Sequence, residues 1–204
     1  MLDLLDYRRQ VAENYRRVRE QGSVQAYEQF RRERDSLFRS HSQSALDEEQ
    51  KASFQGLRYY PYDPAFRVMG KINTNVEPIV YEFDLQGDGH TVVRQFAQVS
   101  FDLPTGSGTL GLFWVTGYGG GVFLPFGDAT NKHTTYGAGR YLYDTIKGAD
   151  LGAGRGFQPD EILLDFNYAY HPSCYYNSRW VCPLAPYQNR LRFPLEAGEM
   201  LMEV

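Results

Sequence analysis

The residues of this chain that could do chemistry are concentrated in residues 126–141 and 165–199. The first stretch holds an acid, a guanidinium group and two phenols. They are Asp128, Tyr136, Arg140 and Tyr141. A guanidinium group can hold a carboxylate or carbonyl ligand through two hydrogen bonds, and a carboxylate can act as acceptor or base. The alternative is an internal ion pair, in which Arg140 neutralises a buried acid such as Asp165.

The second stretch begins with Asp165, Asn167 and Tyr170. A strand over residues 165–170 would place Asp165 and Asn167 on one face, because side chains alternate along a strand. Buried polar groups without partners cost about 1–3 kcal/mol each. The pattern therefore predicts that a ligand or an internal network supplies partners to these two side chains.

His171, Cys174 and Cys182 follow with the spacing of a His-x-x-Cys and a Cys-x7-Cys pattern. This spacing leaves open a soft-metal site, a thiolate paired with an imidazole, a dithiol redox pair and ordinary packing. A structural zinc site normally has four ligands at tighter paired spacing, so we expect no metal site here. Because a reducing cytosol keeps cysteines reduced, we expect two thiols.

Other motifs of common enzymes are missing from the sequence. Glycine clusters at residues 117–121, 137–139 and 152–156 lack the Lys-Ser/Thr or the strict Gly-x-Gly-x-x-Gly context of a phosphate loop. They are interpreted as turns. No Gly-x-Ser-x-Gly elbow of a serine hydrolase occurs.

Residues 1–54 are predicted to form a helical arm that packs on the body or on a partner subunit. Apolar residues recur every three or four positions over residues 2–21 and 24–38, which is typical of amphipathic helices. Ser44 is a plausible N-cap for a third helix over residues 45–54.

Residues 55–204 are predicted to form a β body, which begins near the proline-rich residues 59–64. The chain has 16 Tyr, 13 Phe and 20 Gly, and aromatic residues favour strands. The predicted strands are residues 66–72, 79–85, 91–103, 109–116, 121–124, 162–169, 191–193 and 200–204. The fold class is therefore mainly β with an N-terminal helical arm, as a β barrel or sandwich of short antiparallel strands.

Composition limits the class of partner. A net charge of −4 and a pI near 5.6 do not provide the basic face that nucleic acid requires. No apolar run approaches the roughly 20 residues of a membrane span, and charges interrupt the first 21 residues. We expect a cytoplasmic protein of one domain plus the arm, with no nucleic-acid or membrane partner.

The order of several motifs resembles a widespread prokaryotic family that is known only as a domain of unknown function. The resemblance rests on residues 126–130, 135–142, 165–174, 182–186, 189–191 and 197–199, with residues 56–61 also fitting. Gly127, Ala138, Tyr168 and His171 depart from the residues common in that family. The resemblance implies that these stretches belong together and brings no known activity or cofactor.

The leading hypothesis is a small-molecule binding or catalytic pocket in the β body. Its predicted lining is Asp128, Tyr136, Arg140, Tyr141, Asp165, Asn167, Tyr170 and Cys174. One alternative is a non-catalytic interaction protein, whose polar cluster is an internal network and whose helical arm forms a homo-oligomer. The other is a dithiol redox protein that uses Cys174 and Cys182. The sequence does not identify a cofactor or a reaction.

Overall fold

The computed structural model describes residues 1–86, 89–152, 158 and 160–202. Two long helices open the chain, α1 at Leu2–Gln21 and α2 at Val24–Ser40. Between them Gly22 adopts a left-handed conformation (φ 55°), which glycine tolerates without strain. The Ser23 hydroxyl then caps α2 by accepting the backbone N–H of Ala26. The two helices consequently turn back on each other.

The third helix, α3, spans Glu48–Ser53 and is shorter than residues 45–54. Its N-cap is Asp47, which forms a capping box with Gln50, and the prediction of Ser44 was wrong. The Ser44 hydroxyl instead donates to the carbonyl of Phe38 at the end of α2. Asp47 and Gln50 satisfy one another's backbone N–H groups, and this reciprocal pairing fixes the start of α3.

The body is a single seven-stranded antiparallel sheet that curls into a half-barrel. Its strands are β1 Arg67–Asn73, β2 Val80–Asp84, β3 His90–Leu103, β4 Gly106–Val115, β5 Gly121–Phe126, β6 Arg140–Asp144 and β7 Glu161–Asp165. The spatial order is β6-β5-β4-β3-β1-β7, and β2 also pairs with β3. The predicted mainly β fold with an N-terminal helical arm is confirmed.

The sequence prediction misplaced the end of β7 and missed β6. Residues 166–168 form a 3-10 turn rather than strand, because the Asp165 carboxylate accepts the backbone N–H of Asn167 and ends β7. Residues 191–193 and 200–202 are not strands, and residues 203–204 lie outside the described residues. Around residue 191 the chain makes a single parallel bridge, between Arg190 and Gly127.

The helices and the sheet share one hydrophobic core. Tyr27 and Phe30 of α2 meet the ring of Tyr168 edge to face, with centroids 5.5 and 4.9 Å apart. Arg34 of α2 forms an ion pair with Glu199 of the body at 3.0 Å. The arm is thus attached to the body by both aromatic packing and a charged contact.

Candidate functional site

Arg140 and Asp128 form a closed, buried ion pair. The Arg140 side chain is fully buried, and its Nη2 lies 2.9 Å from Asp128 Oδ2. The guanidinium group also donates to the backbone carbonyls of Leu195, Ala197 and Glu199. These contacts join β6 to the segment that closes the body. Among the guanidinium nitrogens, only Arg140 Nε has no hydrogen-bond partner.

The other Asp128 oxygen is occupied as well. Oδ1 accepts the backbone N–H of Thr130 at 2.8 Å, the Thr130 hydroxyl at 2.5 Å and the backbone N–H of Leu195 at 3.2 Å. Such saturation is expected of a buried charge in a structural role, because each remaining lone pair needs a donor. Arg140 is therefore paired with Asp128 and not with Asp165.

Asn167, Tyr141 and Tyr170 are also engaged within the protein. Asn167 exchanges two hydrogen bonds of 2.9 Å with the backbone of Asp63. The Tyr141 hydroxyl donates to the carbonyl of Pro183. Tyr170 forms an antiparallel bridge with Tyr141 and packs below the guanidinium group of Arg34. These three side chains tie separate segments together.

Asp165 is the predicted site residue that lines a cleft. The cleft has a volume of about 540 Å³ and lies between the C-terminal end of α1, β1 and β7. The Asp165 carboxylate is buried, and it accepts two hydrogen bonds from Asn167 through Oδ1. Its Oδ2 lies 3.4 Å from Arg67 Nε. Burial raises the pKa of Asp165 to about 6, because the low-polarity surroundings disfavour its charge.

The two cysteines meet at the surface of the body. Cys174 belongs to the short helix α4, Ser173–Tyr176, and Cys182 lies in the following loop. Both are free thiols and both are partly exposed. The backbone N–H of Cys174 donates to Cys182 Sγ at 3.4 Å, and the Cys174 thiol also hydrogen-bonds to that sulfur. We name this pair the dithiol.

The dithiol is asymmetric. The hydrogen bond from the Cys174 thiol lowers the pKa of Cys182 to about 6, with smaller contributions from nearby backbone N–H groups and from the positive charge of Lys147. The same hydrogen bond raises the pKa of Cys174, because losing its proton would leave two facing thiolates. At neutral pH Cys182 is therefore the thiolate, and Cys174 is the thiol that stabilises it.

Tyr136 completes this surface, and its position depends on His171. The Tyr136 hydroxyl hydrogen-bonds to Cys174, and its ring packs 5.3 Å from that of Tyr175. The backbone N–H of Tyr136 donates to Nε2 of the buried His171 at 3.1 Å. His171 therefore carries its proton on Nδ1. Burial, with the positive charges of Arg140 and Arg34, holds the pKa of His171 well below its ordinary value.

Glu199 is a buried charged residue that the predicted site did not include. Oε2 accepts from Arg34 and from the backbone N–H of His171, and Oε1 accepts from the Tyr176 hydroxyl. Burial raises the pKa of Glu199 to about 7 despite the opposing charge of Arg34. The only signal in the sequence was its place in the motif at residues 197–199.

The predicted site residues thus fall into three places. Asp128 and Arg140 lie in the buried ion pair. Tyr136 and Cys174 lie at the dithiol, and Asp165 lies in the α1 cleft. The soft donors suited to a metal are the two cysteine sulfurs. The described residues contain no group of three or more His, Cys, Asp or Glu side chains that could hold a metal ion.

The fold and the dithiol define a small, mainly β protein with a helical arm and a surface pair of cysteines. The chain belongs to the family described as "Protein of unknown function (DUF1684)", which matches residues 52–200. No curated protein matches it. A similar solved structure is the NMR structure of an uncharacterized protein from gene locus rrnAC0354 of Haloarcula marismortui. The two chains are 32% identical, the match covers 85% of this chain and 91% of that one, and the TM-score is 0.59.

The described helices include none that is both long enough and apolar enough to cross a membrane.

Proposed function

We propose that this protein carries out thiol–disulfide exchange at Cys174 and Cys182. The observation that carries the proposal is the contact of the two residues, in which Cys182 Sγ accepts hydrogen bonds from the Cys174 backbone and thiol. Partial exposure supports it, because a disulfide substrate must reach the attacking sulfur. A thiol pKa near ambient pH is also close to the optimum for such attack.

The reaction follows from the asymmetry of the pair. The Cys182 thiolate attacks one sulfur of a substrate disulfide, forms a mixed disulfide and releases the first substrate thiolate, which takes a proton from water. Cys174 then loses its proton to water and attacks the Cys182 sulfur, which releases the second substrate thiolate. The protein gives up two electrons and two protons and gains a disulfide, while the substrate is reduced to two thiols.

Redox equilibration tests this proposal. The reduced protein is incubated with graded mixtures of reduced and oxidised glutathione, quenched by alkylation and analysed by mass spectrometry. We expect a cooperative loss of both free thiols, with a mass lower by two hydrogens and a peptide linking Cys174 to Cys182. The Cys182→Ser variant should retain Cys174 as a slow thiol. Formation of stable mixed disulfides without the internal bond would contradict the proposal.

A second candidate function is small-molecule binding in the cleft at Asp165. The specific observation is that Asp165 Oδ2 is buried at the wall of an open cleft and is held only by a long contact to Arg67. Val18, Leu151 and Leu163 give the same wall an apolar part. A ligand with an ammonium group on an apolar body would complement both features.

Benzylamine is a suitable probe for the cleft. In two-dimensional amide NMR spectra we expect its addition to shift resonances of β1 and β7, and the Asp165→Asn variant should lose these shifts. Lys71→Gln is a matched exposed control on β1. Shifts that are scattered over the surface, or that survive in Asp165→Asn, would rule out this site.

We propose a cytoplasmic location, which the two free thiols support because that compartment keeps cysteines reduced. We also propose self-association through the helical arm, since Met1, Leu2 and Leu5 at the start of α1 are exposed. Polar replacement of Leu2 and Leu5 should lower the oligomer fraction in sedimentation analysis. An unchanged mass would contradict the role of the arm.

A further inference from the structure

One cationic side chain stands over the dithiol and is not used by the exchange reaction itself. Lys147 ends the 3-10 turn Thr145–Lys147 that follows β6. Tyr141 of β6 is anchored to the carbonyl of Pro183, the residue after Cys182, so the loop with Cys182 is attached to the strand that leads into this turn. The charge of Lys147 acts on the Cys182 sulfur, after the larger effect of the Cys174 hydrogen bond on the pKa of Cys182.

The position of Lys147 leaves its ammonium group available to a solute. Its side chain is 58% exposed, whereas its partner Asp144, at 3.6 Å, is only 8% exposed. An approaching solute therefore meets the ammonium group before the carboxylate. Arg179 is nearer to Cys182 in sequence, but its Nη2 is held by the carbonyls of Ser44 and Leu46 at 3.0 Å each. Lys147 is thus the more suitable cation for recognising a substrate.

The sulfur of the nucleophile also lies beside apolar surface. Leu184, two residues after Cys182, is 42% exposed. A bound disulfide would meet a positive charge on one side and an aliphatic side chain on another.

Resting on the proposed exchange reaction, we infer that Lys147 directs the dithiol to small disulfides that carry negative charge. The carboxylates of such a substrate lower the energy of the approach to Cys182 by interaction with the ammonium group. The attraction is long-range and solvent-exposed, so it weakens as salt screens it. Lys147 is a specificity residue in this proposal, and the sulfur chemistry belongs to Cys182 and Cys174.

The test compares two disulfides that differ in charge. Rate constants for the reduced protein are measured with dithiobis(nitrobenzoate), an aromatic dianion, and with dithiodipyridine, which is aromatic and neutral. The readout is the ratio of the two rates, because a change in the pKa of Cys182 affects both reagents while their charge difference remains. Lys147→Gln removes the cation, Lys147→Arg keeps it, and Lys71→Gln is an exposed lysine control on β1.

We expect Lys147→Gln to lower the dianion-to-neutral ratio by about two- to fourfold at low salt, as expected for unit charges several ångströms apart in water. Lys147→Arg and Lys71→Gln should leave the ratio unchanged, and high salt should reduce the wild-type ratio to that of Lys147→Gln. An unchanged ratio in Lys147→Gln, with fast reaction at Cys182, would overturn this inference and leave the exchange reaction standing. If Cys182 reacts no faster than an ordinary thiol with either reagent, the proposed function itself fails.

Discussion

Replacing Asp128 tests whether the Asp128–Arg140 pair is a structural element or a ligand site. The Asp128→Asn variant keeps an oxygen for the three donors that reach Oδ1, namely the N–H and hydroxyl of Thr130 and the N–H of Leu195. It places an amide N–H₂ group against the guanidinium group of Arg140, which is fully buried. The variant thus removes the counter-charge and retains most of the local hydrogen bonding.

Breaking a buried ion pair from one side costs about 3–5 kcal/mol, because the remaining charge stays buried without compensation. Arg140 keeps its three backbone carbonyl acceptors, so we expect the lower end, a loss of about 3 kcal/mol in the free energy of unfolding. Asp128→Ala also leaves three donors without an acceptor. It should therefore lose about 5 kcal/mol or more.

The assay is equilibrium unfolding in urea followed by circular dichroism. Asp102→Asn is the control, because Asp102 is exposed and accepts from the Ser107 hydroxyl at 2.5 Å. Its free energy of unfolding should change by less than about 0.5 kcal/mol. A loss below about 1 kcal/mol in Asp128→Asn would refute the reasoning, and an increase in stability would favour a strained ligand site.

Two further predictions concern stability. The raised pKa of Asp165, about 6, means that its contribution to stability is fully present below about pH 4 and is lost as the pH rises through 6, by roughly 3 kcal/mol. Asp165→Asn should flatten thermal stability over this pH range, and an unchanged pH slope would show that Asp165 is not its source. Gly198→Ala should cost about 2 kcal/mol or more in urea unfolding, because Gly198 has φ 78° and a Cβ there would lie 2.6 Å from the carbonyl oxygen of Ala169. Gly89→Ala is its control, with φ 83° and no atom within 4 Å, so an equal loss in both variants would mean that the contact contributes nothing.

The sequence was sufficient for the parts of the fold that depend on local pattern. The two amphipathic helices appeared within two residues of their predicted ends, and so did the centre of the sheet. Strand β6, Arg140–Asp144, was missed because all five of its residues are buried and its sequence contains Arg and Asp, so the usual alternation of apolar and polar residues is absent. Its charged residues are compatible with strand only because distant segments supply their partners.

The site shows the same limit more sharply. The sequence identified the segments that hold the buried ion pair and the dithiol, but it could not show that Arg140 is closed off by carbonyls of Leu195 and Ala197. It also gave no reason to connect Cys182 with the backbone of Cys174. Both features depend on where loops return in three dimensions, and residue type and spacing do not determine such contacts.

The most direct test of the dithiol is the pH dependence of alkylation at Cys182. Reduced protein is treated with iodoacetamide at a series of pH values, and modification is followed at the Cys182 peptide in the wild type and in Cys174→Ala. The account predicts a midpoint near pH 6 in the wild type, because the Cys174 hydrogen bond lowers the pKa of Cys182 to about 6, and a clear upward shift in Cys174→Ala. A wild-type midpoint near that of an ordinary thiol, unchanged by removal of the Cys174 sulfur, would contradict it.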